Sequence, residues 1–310
     1  MRNRFADVFF ELGSQDPRMV MVVADISPAG SIEKFRTEYP DRFVNTGVAE
    51  QIMIGMCAGM SQRGLRPFAY TIATFAIFRP FEFLRIDLCY QNLPVTVVGI
   101  GGGVTYSTLG ATHHAMEDVA IACSVPNLQV IAPCDPRETA DATRWCAIQE
   151  NGPVYLRLGK AGEQDMTKES TSEWEFGKIR YLDKYREGEI CILSYGPIIK
   201  LAREVGSKLE SEGKQVNIVS VHTLKPLDTI GICKALKNHD EVVVIEEMVP
   251  FGGLYDRVRA LAFEAGATCG VSGFSLRDEF IHTYGSHEEL LLAHGLGADK
   301  IAAKLLRGGK

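Results

Sequence analysis

The sequence lacks the features that would place the chain in a membrane or on a nucleic acid. No apolar run approaches the roughly 18 residues that a membrane helix requires. The first residues, MRNRFADVFFELG, lack the long apolar stretch and small-residue cleavage site of a secretory signal. No block of lysine and arginine provides a footprint for phosphates, and the formal net charge is −6. We therefore expect a cytoplasmic protein with no membrane and no nucleic-acid partner.

Paired cysteines are missing as well. The eight cysteines include no CxxC pair, and most stand among apolar neighbours, which is typical of small buried side chains rather than of zinc ligands or disulfides. This usage favours a reducing compartment. No internal repeat of solenoid length is visible, so the length of 310 residues, 46% of them hydrophobic, predicts two domains with sizeable cores.

Short apolar runs alternate with longer helical stretches, which is the pattern of a parallel sheet. The alternation occurs twice, on either side of a polar stretch at 159–178. We predict an α/β fold of two parallel-sheet α/β domains, over residues 1–160 and 181–310, joined by a linker over 161–180. Strands are predicted at 19–25, 42–46, 66–71, 94–100, 128–133, 153–158, 189–196, 215–221 and 241–247. Helices are predicted at 3–12, 49–62, 79–91, 117–123, 136–148, 198–212, 228–237 and 298–306, with one more after FGGLYDRV.

An acid and a run of aromatic residues follow two of the early strands. In TGVAEQIMIGM, Glu50 is the first residue of a predicted helix. The helix dipole favours an acid in the first turn, and this is a sufficient explanation for Glu50 by itself. In ATFAIFRPFEF, three rings recur every third residue, at Phe75, Phe78 and Phe81. A helix core stripe is the ordinary explanation. Since a charged residue and Pro80 interrupt the run at a strand end, an apolar slot for an aromatic ligand is the alternative.

A glycine-rich loop and an arginine follow two later strands. The loop GIGGGVTYSTLGATHHAMED matches a dinucleotide fingerprint only loosely, because no helix follows it promptly. Its adjacent His113 and His114 are poorly placed to bind one metal ion together. A histidine here suits proton transfer or substrate hydrogen bonding, and loop packing is the alternative. Arg157 ends the apolar strand PVYLRL, where it either pairs with an acid or binds a phosphate or carboxylate.

Together these motifs resemble the transketolase family of thiamine-diphosphate enzymes over almost the whole chain. GVAEQ, ATFAIF, GATHHAMED, PNLQVIAP and VYLRLGK occur in the family's order, and KPLD, VIEEMVPFGGL and LAHGLGADKI resemble its C-terminal domain. The resemblance implies a thiamine-diphosphate pyrimidine-binding domain followed by a transketolase C-terminal domain. It also implies an enzyme of carbohydrate metabolism that transfers a two-carbon ketol unit from a ketose donor to an aldose acceptor.

The resemblance assigns cofactor roles residue by residue. Glu50 matches the glutamate that hydrogen-bonds a ring nitrogen of the cofactor's aminopyrimidine, which makes it a catalytic residue. Phe75, Phe78 and Phe81 match the aromatic pocket around that ring. Asp25, in VVADISP, matches an aspartate close to the cofactor.

Substrate roles follow in the same way. His113 matches a catalytic histidine that hydrogen-bonds the bound sugar or its intermediate. Arg157 matches the arginine on the acceptor's phosphate, and Arg2 matches a second one by spacing. The pocket departs from the family pattern at three positions, because aspartate, histidine and serine are replaced at Leu109, Gly101 and Ala29. The sequence therefore does not determine which sugars are the donor and the acceptor, or whether they are phosphorylated.

One family motif is absent. The chain has no GDG followed by a downstream asparagine, the motif with which the family binds the diphosphate and its Mg²⁺. The resemblance therefore implies the C-terminal subunit of a split, two-chain transketolase, active only with a separate N-terminal subunit. The resemblance further implies that this partner subunit carries the magnesium ligands, that the present chain has none, and that the assembly is an α2β2 heterotetramer.

Three other interpretations of the same motifs compete with a transketolase. The beta subunit of a 2-oxoacid dehydrogenase first component has a similar length, the same two domains and the same dependence on a partner. Deoxyxylulose-phosphate synthase is a longer single chain that usually carries an arginine at the place of Phe78. A non-catalytic scaffold that keeps the fold is the third alternative, but it needs neither Glu50 nor the ring cluster.

Overall fold

The computed structural model describes residues 1–26, 30–170, 172–186 and 188–307. Ala29, one of the three departures from the family pattern, lies outside the described residues. Over these ranges the chain forms two mostly parallel sheets covered by helices, which confirms the predicted α/β fold class. No helix in the described ranges is both long and apolar enough to cross a membrane.

In the first half, the apolar runs form strands and most of the intervening stretches form helices. Every residue of the strands at 19–23, 96–100 and 154–158 is buried, as expected for strands covered on both faces. The strands are β1 (Met19–Val23), β2 (Phe43–Asn45), β3 (Arg66–Ile72), β4 (Thr96–Ile100), β5 (Gln129–Ile131) and β6 (Val154–Leu158). The helices are α1 (Arg2–Gln15), α2 (Ser31–Glu38), α3 (Glu50–Gln62), α4 (Ala73–Ile77), α5 (Phe81–Phe83), α6 (Asp118–Ser124) and α7 (Pro136–Ile148).

Local chemistry explains several of these boundaries. Asp135 caps α7 by accepting a hydrogen bond from the Glu138 amide at 2.8 Å, with Pro136 in the first helical position. After α5 the chain continues as a π-helical segment, Leu84–Tyr90. Single 3₁₀ turns lie at Pro40–Arg42, Ser107–Leu109, Ala111–His113 and Gly196–Ile198. Helix α2 was not among the predicted helices.

The second half repeats the alternation. Its strands are β7 (Arg180–Tyr181), β8 (Ile190–Ser194), β9 (Val216–Ser220), β10 (Thr223–Lys225), β11 (Glu241–Ile245) and β12 (Gly270–Phe274). Its helices are α8 (Ile199–Ser211), α9 (Thr229–Asn238), α10 (Leu254–Glu264), α11 (His287–Ala293) and α12 (Ala298–Leu306). Strands β10 and β12 and helix α11 were not predicted.

The strand order links the two halves. The first sheet runs β10-β5-β6-β4-β3-β1-β2 and the second β12-β11-β8-β9-β7. Strand β10 comes from the second half but pairs antiparallel with β5, and β7 at the end of the predicted linker pairs antiparallel with β9. The two sheets are therefore tied together at an edge. The domain boundaries at 160 and 181 stay a prediction.

The parallel strands of the first sheet deliver chemically active side chains to one edge. Carboxyl ends of parallel strands meet at the same edge, where α/β proteins bind ligands. Asp25 follows β1, Glu50 follows β2, Phe75 follows β3, His113 follows β4 and Lys160 follows β6. The fold therefore brings together residues that lie far apart in the chain.

Candidate active site

A buried carboxylate paired with a partly exposed arginine lies at this edge. Helix α3 begins at Glu50, whose side chain is nearly inaccessible to solvent. Its Oε1 accepts a hydrogen bond from Arg79 Nη1 at 2.9 Å, and the Arg79 side chain is 41% exposed. The positive end of α3 also favours a carboxylate at this position. Glu50 is therefore a buried acceptor held by a side chain that solvent can reach.

Arg79 also stacks on an aromatic ring that continues to the histidine loop. Its Cζ lies 4.0 Å from the centre of the Phe75 ring, and the ring of His113 meets Phe75 edge-on with 5.2 Å between centroids. Helix α4 ends before Phe78, so the three predicted rings do not lie on one helix. Phe78 and Phe81 are half-buried and pack against the core. The contacts therefore connect Glu50 to His113 through Arg79 and Phe75.

The two adjacent histidines face different surroundings. His113 is half-buried, its Nδ1 lies 2.9 Å from Thr112 Oγ1, and burial together with the charge of Arg79 lowers its pKa. His114 is buried, its ring nitrogens have no hydrogen-bond partner among the described residues, and its carbonyl accepts a hydrogen bond from Thr74. His113 is therefore a neutral side chain at the site at pH 7, while His114 belongs to the packing of the loop.

Tyr106 fills the space beside Gly101. A Cβ on Gly101 would lie 2.3 Å from Tyr106 Cε2, and the backbone φ of +73° also favours glycine there. The Tyr106 ring lies 6.3 Å from the His113 ring, and Lys160 Nζ lies 4.9 Å from the Tyr106 centroid. Leu109 is partly exposed on a 3₁₀ turn of the same loop. A histidine at position 101 would clash with the Tyr106 ring, which would have to move away.

Arg157, which the family resemblance predicts to contact the acceptor phosphate, lies in a buried pair with an acid. Its Nε donates to Asp118 Oδ2 at 2.8 Å, and Tyr155 donates to the same oxygen at 2.7 Å. Nη2 lies 3.2 Å from the Glu247 carbonyl, and the side chain is only 3% exposed. Of the two explanations open from the sequence, pairing with an acid accounts for these contacts.

Gly102 and Gly103 of the same loop pack closely against buried charged side chains. A Cβ on Gly102 would lie 2.3 Å from Arg157, and one on Gly103 would lie 2.3 Å from Glu247. Glu247 Oε1 accepts from His287 Nε2 at 2.8 Å and from the loop backbone at 2.7 Å. Burial would raise the pKa of Glu247, but His287, Arg157 and the loop amide together hold it below its ordinary value. The glycine-rich loop of the first half therefore packs directly against Glu247 of the second half.

Arg2 and Asp25 lie at the same edge of the sheet. Burial raises the pKa of Tyr106 and the charge of nearby Arg2 lowers it in part. Arg2 Nε is buried without a hydrogen-bond partner in the described part of the chain. Asp25 is exposed and has a left-handed φ of +43°, and its amide donates to Asn45 Oδ1 at 3.3 Å. Such a conformation is uncommon outside glycine, and it points to a constrained turn after β1.

The structure adds three residues that sequence reasoning did not assign to the site. Arg79 was noted only as an interruption of the aromatic run, although a charge among phenylalanines is itself a signal. Tyr106 stands within the glycine-rich loop, and Lys160 lies two residues after the end of β6. Among the described residues, no group of three or more His, Cys, Asp or Glu side chains could hold a metal ion.

Comparison with known proteins places these residues in context. The transketolase pyrimidine binding domain family matches residues 1–162, and the transketolase C-terminal domain family matches 177–301. One subunit of the apulose-4-phosphate transketolase of Phocaeicola vulgatus is 30% identical over 306 residues, covering 98% of this chain and 96% of that protein. A putative transketolase C-terminal section of Methanocaldococcus jannaschii is 33% identical over 308 residues, covering 99% and 95%. A solved split gene transketolase, described as an inactive beta4 tetramer, is 31% identical with a TM-score of 0.85, covering 99% of this chain and 96% of that one.

Proposed function

The chain belongs to the transketolase family as the C-terminal subunit of a two-chain enzyme, and we propose that its site binds thiamine diphosphate through Glu50. The reaction is the transfer of a two-carbon ketol unit from a ketose donor to an aldose acceptor. Similarity to one subunit of the apulose-4-phosphate transketolase, over nearly the full length of both proteins, supports this assignment. The beta subunit of a 2-oxoacid dehydrogenase component is the weaker alternative, because the relatives described above are named transketolases.

One observation carries the cofactor assignment. A planar N–H donor, the guanidinium of Arg79, already stacks on Phe75 and donates to Glu50. An aminopyrimidine ring is also planar and needs a carboxyl group beside its ring nitrogen, so the residues present fit the group. Arg79 holds this place in the free chain and yields it when the cofactor binds.

The chain's own residues then have defined tasks. Thiamine diphosphate, when bound, supplies the nucleophile and electron sink for cleaving a bond next to a carbonyl. Glu50 holds a proton at the ring nitrogen, and Phe75, Phe78 and Phe81 exclude water from the pyrimidine side. His113 is neutral at pH 7 because its pKa is lowered, so it can both donate and accept a hydrogen bond with a substrate hydroxyl.

We propose that the acceptor lies along His113 and Tyr106, with its anionic end toward Arg2 and Lys160 rather than Arg157. The ring contacts connecting His113, Tyr106 and Lys160 support this path. The relative named for apulose 4-phosphate is consistent with an anionic substrate. Asp25, at the end of β1, is proposed to lie close to the cofactor.

A partner chain completes the proposed enzyme. We propose an N-terminal subunit that carries the diphosphate and Mg²⁺ ligands, in an α2β2 heterotetramer. Two apolar side chains near Glu50, Val48 and Ile52, are 67% and 58% exposed and suit burial against another chain. The related beta4 tetramer is described as inactive, which agrees with a chain that needs its partner. All eight cysteines are free thiols, in keeping with a cytoplasmic location.

Co-expression with a candidate N-terminal subunit tests this function. The assembled enzyme should transfer ketol units in a screen of ketose donors against aldehyde acceptors, whereas the present chain alone should be inactive. Glu50→Gln should lower turnover in the assembly about 10²–10⁴-fold, because the ring nitrogen loses its proton partner. Glu82→Gln, an exposed acid on the neighbouring α5, is the matched control and should keep full activity.

Two results would reject the proposal. One is equal turnover for Glu50→Gln and the parent assembly, since a scaffold needs no acid at this position. The other is decarboxylation of a 2-oxoacid without ketol transfer, which would restore the dehydrogenase alternative.

A further inference from the structure

A second charged site lies between α1, α7 and β7 and shares no residue with the candidate active site. Four arginines line a cavity of about 270 Å³ there: Arg4 on α1, Arg137 and Arg144 on α7, and Arg180 on β7. Asp141 is the one carboxylate among the residues that line this cavity. We propose that this cavity binds a phosphate-type dianion, either inorganic phosphate or the phosphate group of a monoester.

The positive charge of Arg144 is poorly neutralised within the chain. Its nitrogens lie 3.6 Å from Glu11 Oε2 and 3.9 Å from Asp141 Oδ1, both beyond hydrogen-bond distance. The Arg144 side chain is 43% exposed, so a ligand in the cavity can reach it. Arg144 therefore has donors to offer to a ligand.

Arg180 supplies the second, independent observation. It is 8% exposed, and its Nε donates to Ser170 Oγ at 3.2 Å and to the Ser172 carbonyl at 3.0 Å. Its Nη1 is buried without a hydrogen-bond partner in the described residues, and the nearest acid, Glu138, lies 3.8 Å away. Burial raises the pKa of Glu138 to about 7, so this carboxylate is only partly charged at neutral pH. A buried guanidinium nitrogen without an acceptor is costly unless a ligand or water provides one.

An adjoining cavity of about 490 Å³ extends the site. It shares Asp141, Arg144 and Arg180 with the first and is also lined by Glu173 and Trp174. The indole Nε1 of Trp174 is a further buried donor without a partner in the described part of the chain. Counting both cavities, four arginines face two carboxylates.

The chemistry of these donors selects the ligand class. Several fork-shaped guanidinium groups around one cavity suit the tetrahedral oxygens of a phosphate, and the arginines that line the two cavities outnumber the carboxylates that line them. Arg4, Arg137 and Arg144 belong to the first half of the chain, whereas Arg180 begins the strand that joins the second sheet. A bound phosphate would therefore tie the linker to the first domain and raise the melting temperature.

Calorimetry and thermal unfolding of the full chain, with and without its partner, test the proposal. The probes are inorganic phosphate and glycerol 3-phosphate, compared with sodium chloride at equal ionic strength. Arg144→Gln should raise the dissociation constant of phosphate at least tenfold, because it removes a charged hydrogen bond. Arg259→Gln is the matched control, since Arg259 is also exposed on a helix and loosely paired i,i+3 with an aspartate at 3.8 Å. Lys160→Met, near the candidate active site, should also leave this binding unchanged.

The possible outcomes are separate from those of the proposed enzyme, because neither probe reports turnover. Saturable binding that is lost in Arg144→Gln but kept in Arg259→Gln and Lys160→Met supports the site. Tighter binding of glycerol 3-phosphate than of phosphate identifies a monoester as the ligand, and the reverse order identifies inorganic phosphate. No saturable binding, an equal loss in Arg259→Gln, or a loss only in Lys160→Met would overturn it. Since Arg144 is an exposed helix residue, its variant is expected to fold.

Discussion

Two carboxylate–arginine pairs lie at the same sheet edge and have almost the same length. Arg79 and Glu50 are 2.9 Å apart, and Arg157 and Asp118 are 2.8 Å apart. Their surroundings differ, because the Arg79 side chain is 41% exposed whereas that of Arg157 is 3% exposed. Asp118 also accepts a hydrogen bond from Tyr155.

The contrast shows that distance alone does not reveal the role of an ion pair. A pair that water can reach gains little from its Coulomb attraction and can exchange one partner for a ligand. A buried pair is desolvated on both sides, so each charge depends on the other and neither can be given up to a substrate. The exposed pair is therefore suited to binding the cofactor, and the buried pair is suited to holding the two halves of the chain together.

The largest expected effect comes from breaking the buried pair. Arg157→Met should lower the free energy of unfolding by about 3–5 kcal/mol, because Asp118 stays buried without its counter-charge. Urea unfolding of the chain, followed by circular dichroism, measures the change.

The double variant Arg157→Met, Asp118→Asn provides the internal control. It should lose less than the single variant, because no uncompensated charge remains in the core. A well-folded Arg157→Met protein with a higher KM for phosphorylated acceptors alone would contradict this view and return Arg157 to the acceptor site.

The sequence allowed most of the fold to be predicted, because burial on both faces leaves continuous apolar runs. It did not reveal β10, which is three residues long and pairs with a strand almost a hundred residues earlier in the chain. Nor did it predict α11, whose start depends on the capping box formed by Ser286 and Glu289. Short elements of this kind are decided by tertiary contacts that leave little periodicity in the sequence.

The candidate site was predictable in part. Glu50, Phe75 and His113 follow strand ends, and the family resemblance gave each of them a role that their contacts permit. The role of Arg157 could not be settled from its position, since a strand end suits a structural arginine as well as a binding one. The contribution of Arg79 depends on how the chain turns between α4 and α5, and no local pattern specifies that turn.

A smaller effect should follow from removing the exchangeable arginine. If Arg79 competes with the pyrimidine for Glu50, Arg79→Met in the assembled enzyme should tighten thiamine diphosphate binding about two- to fivefold, the range expected for an exposed ion pair. Calorimetry of cofactor binding measures the change. Arg85→Met, an exposed arginine farther along the same segment, is the control and should bind as the parent does. Weaker binding in Arg79→Met would show that Arg79 holds the cofactor instead of yielding to it.

A pH-dependent effect of similar size sharpens the comparison at the edge of the buried pair, where Glu247 meets His287. The pKa of His287 is raised, chiefly by Glu247, so its contribution to stability is complete below the ordinary value of 6.5 and is lost as pH rises through the raised value. The pKa of Glu247 is lowered, so its contribution is complete above 4.5 and is lost only as pH falls through the lowered value. Between these limits both charges are present, with Glu163 and Lys200 as the other charged neighbours of His287. Urea unfolding should therefore show that the free energy of unfolding falls by about 1 kcal/mol from pH 6 to pH 8.5. His287→Asn should abolish this fall, whereas the control His282→Asn, at an exposed histidine, should preserve it. If His287→Asn shows the same pH dependence as the parent chain, the loss of stability does not come from the His287–Glu247 pair. That pair would then contribute as little as the exposed Arg79–Glu50 pair.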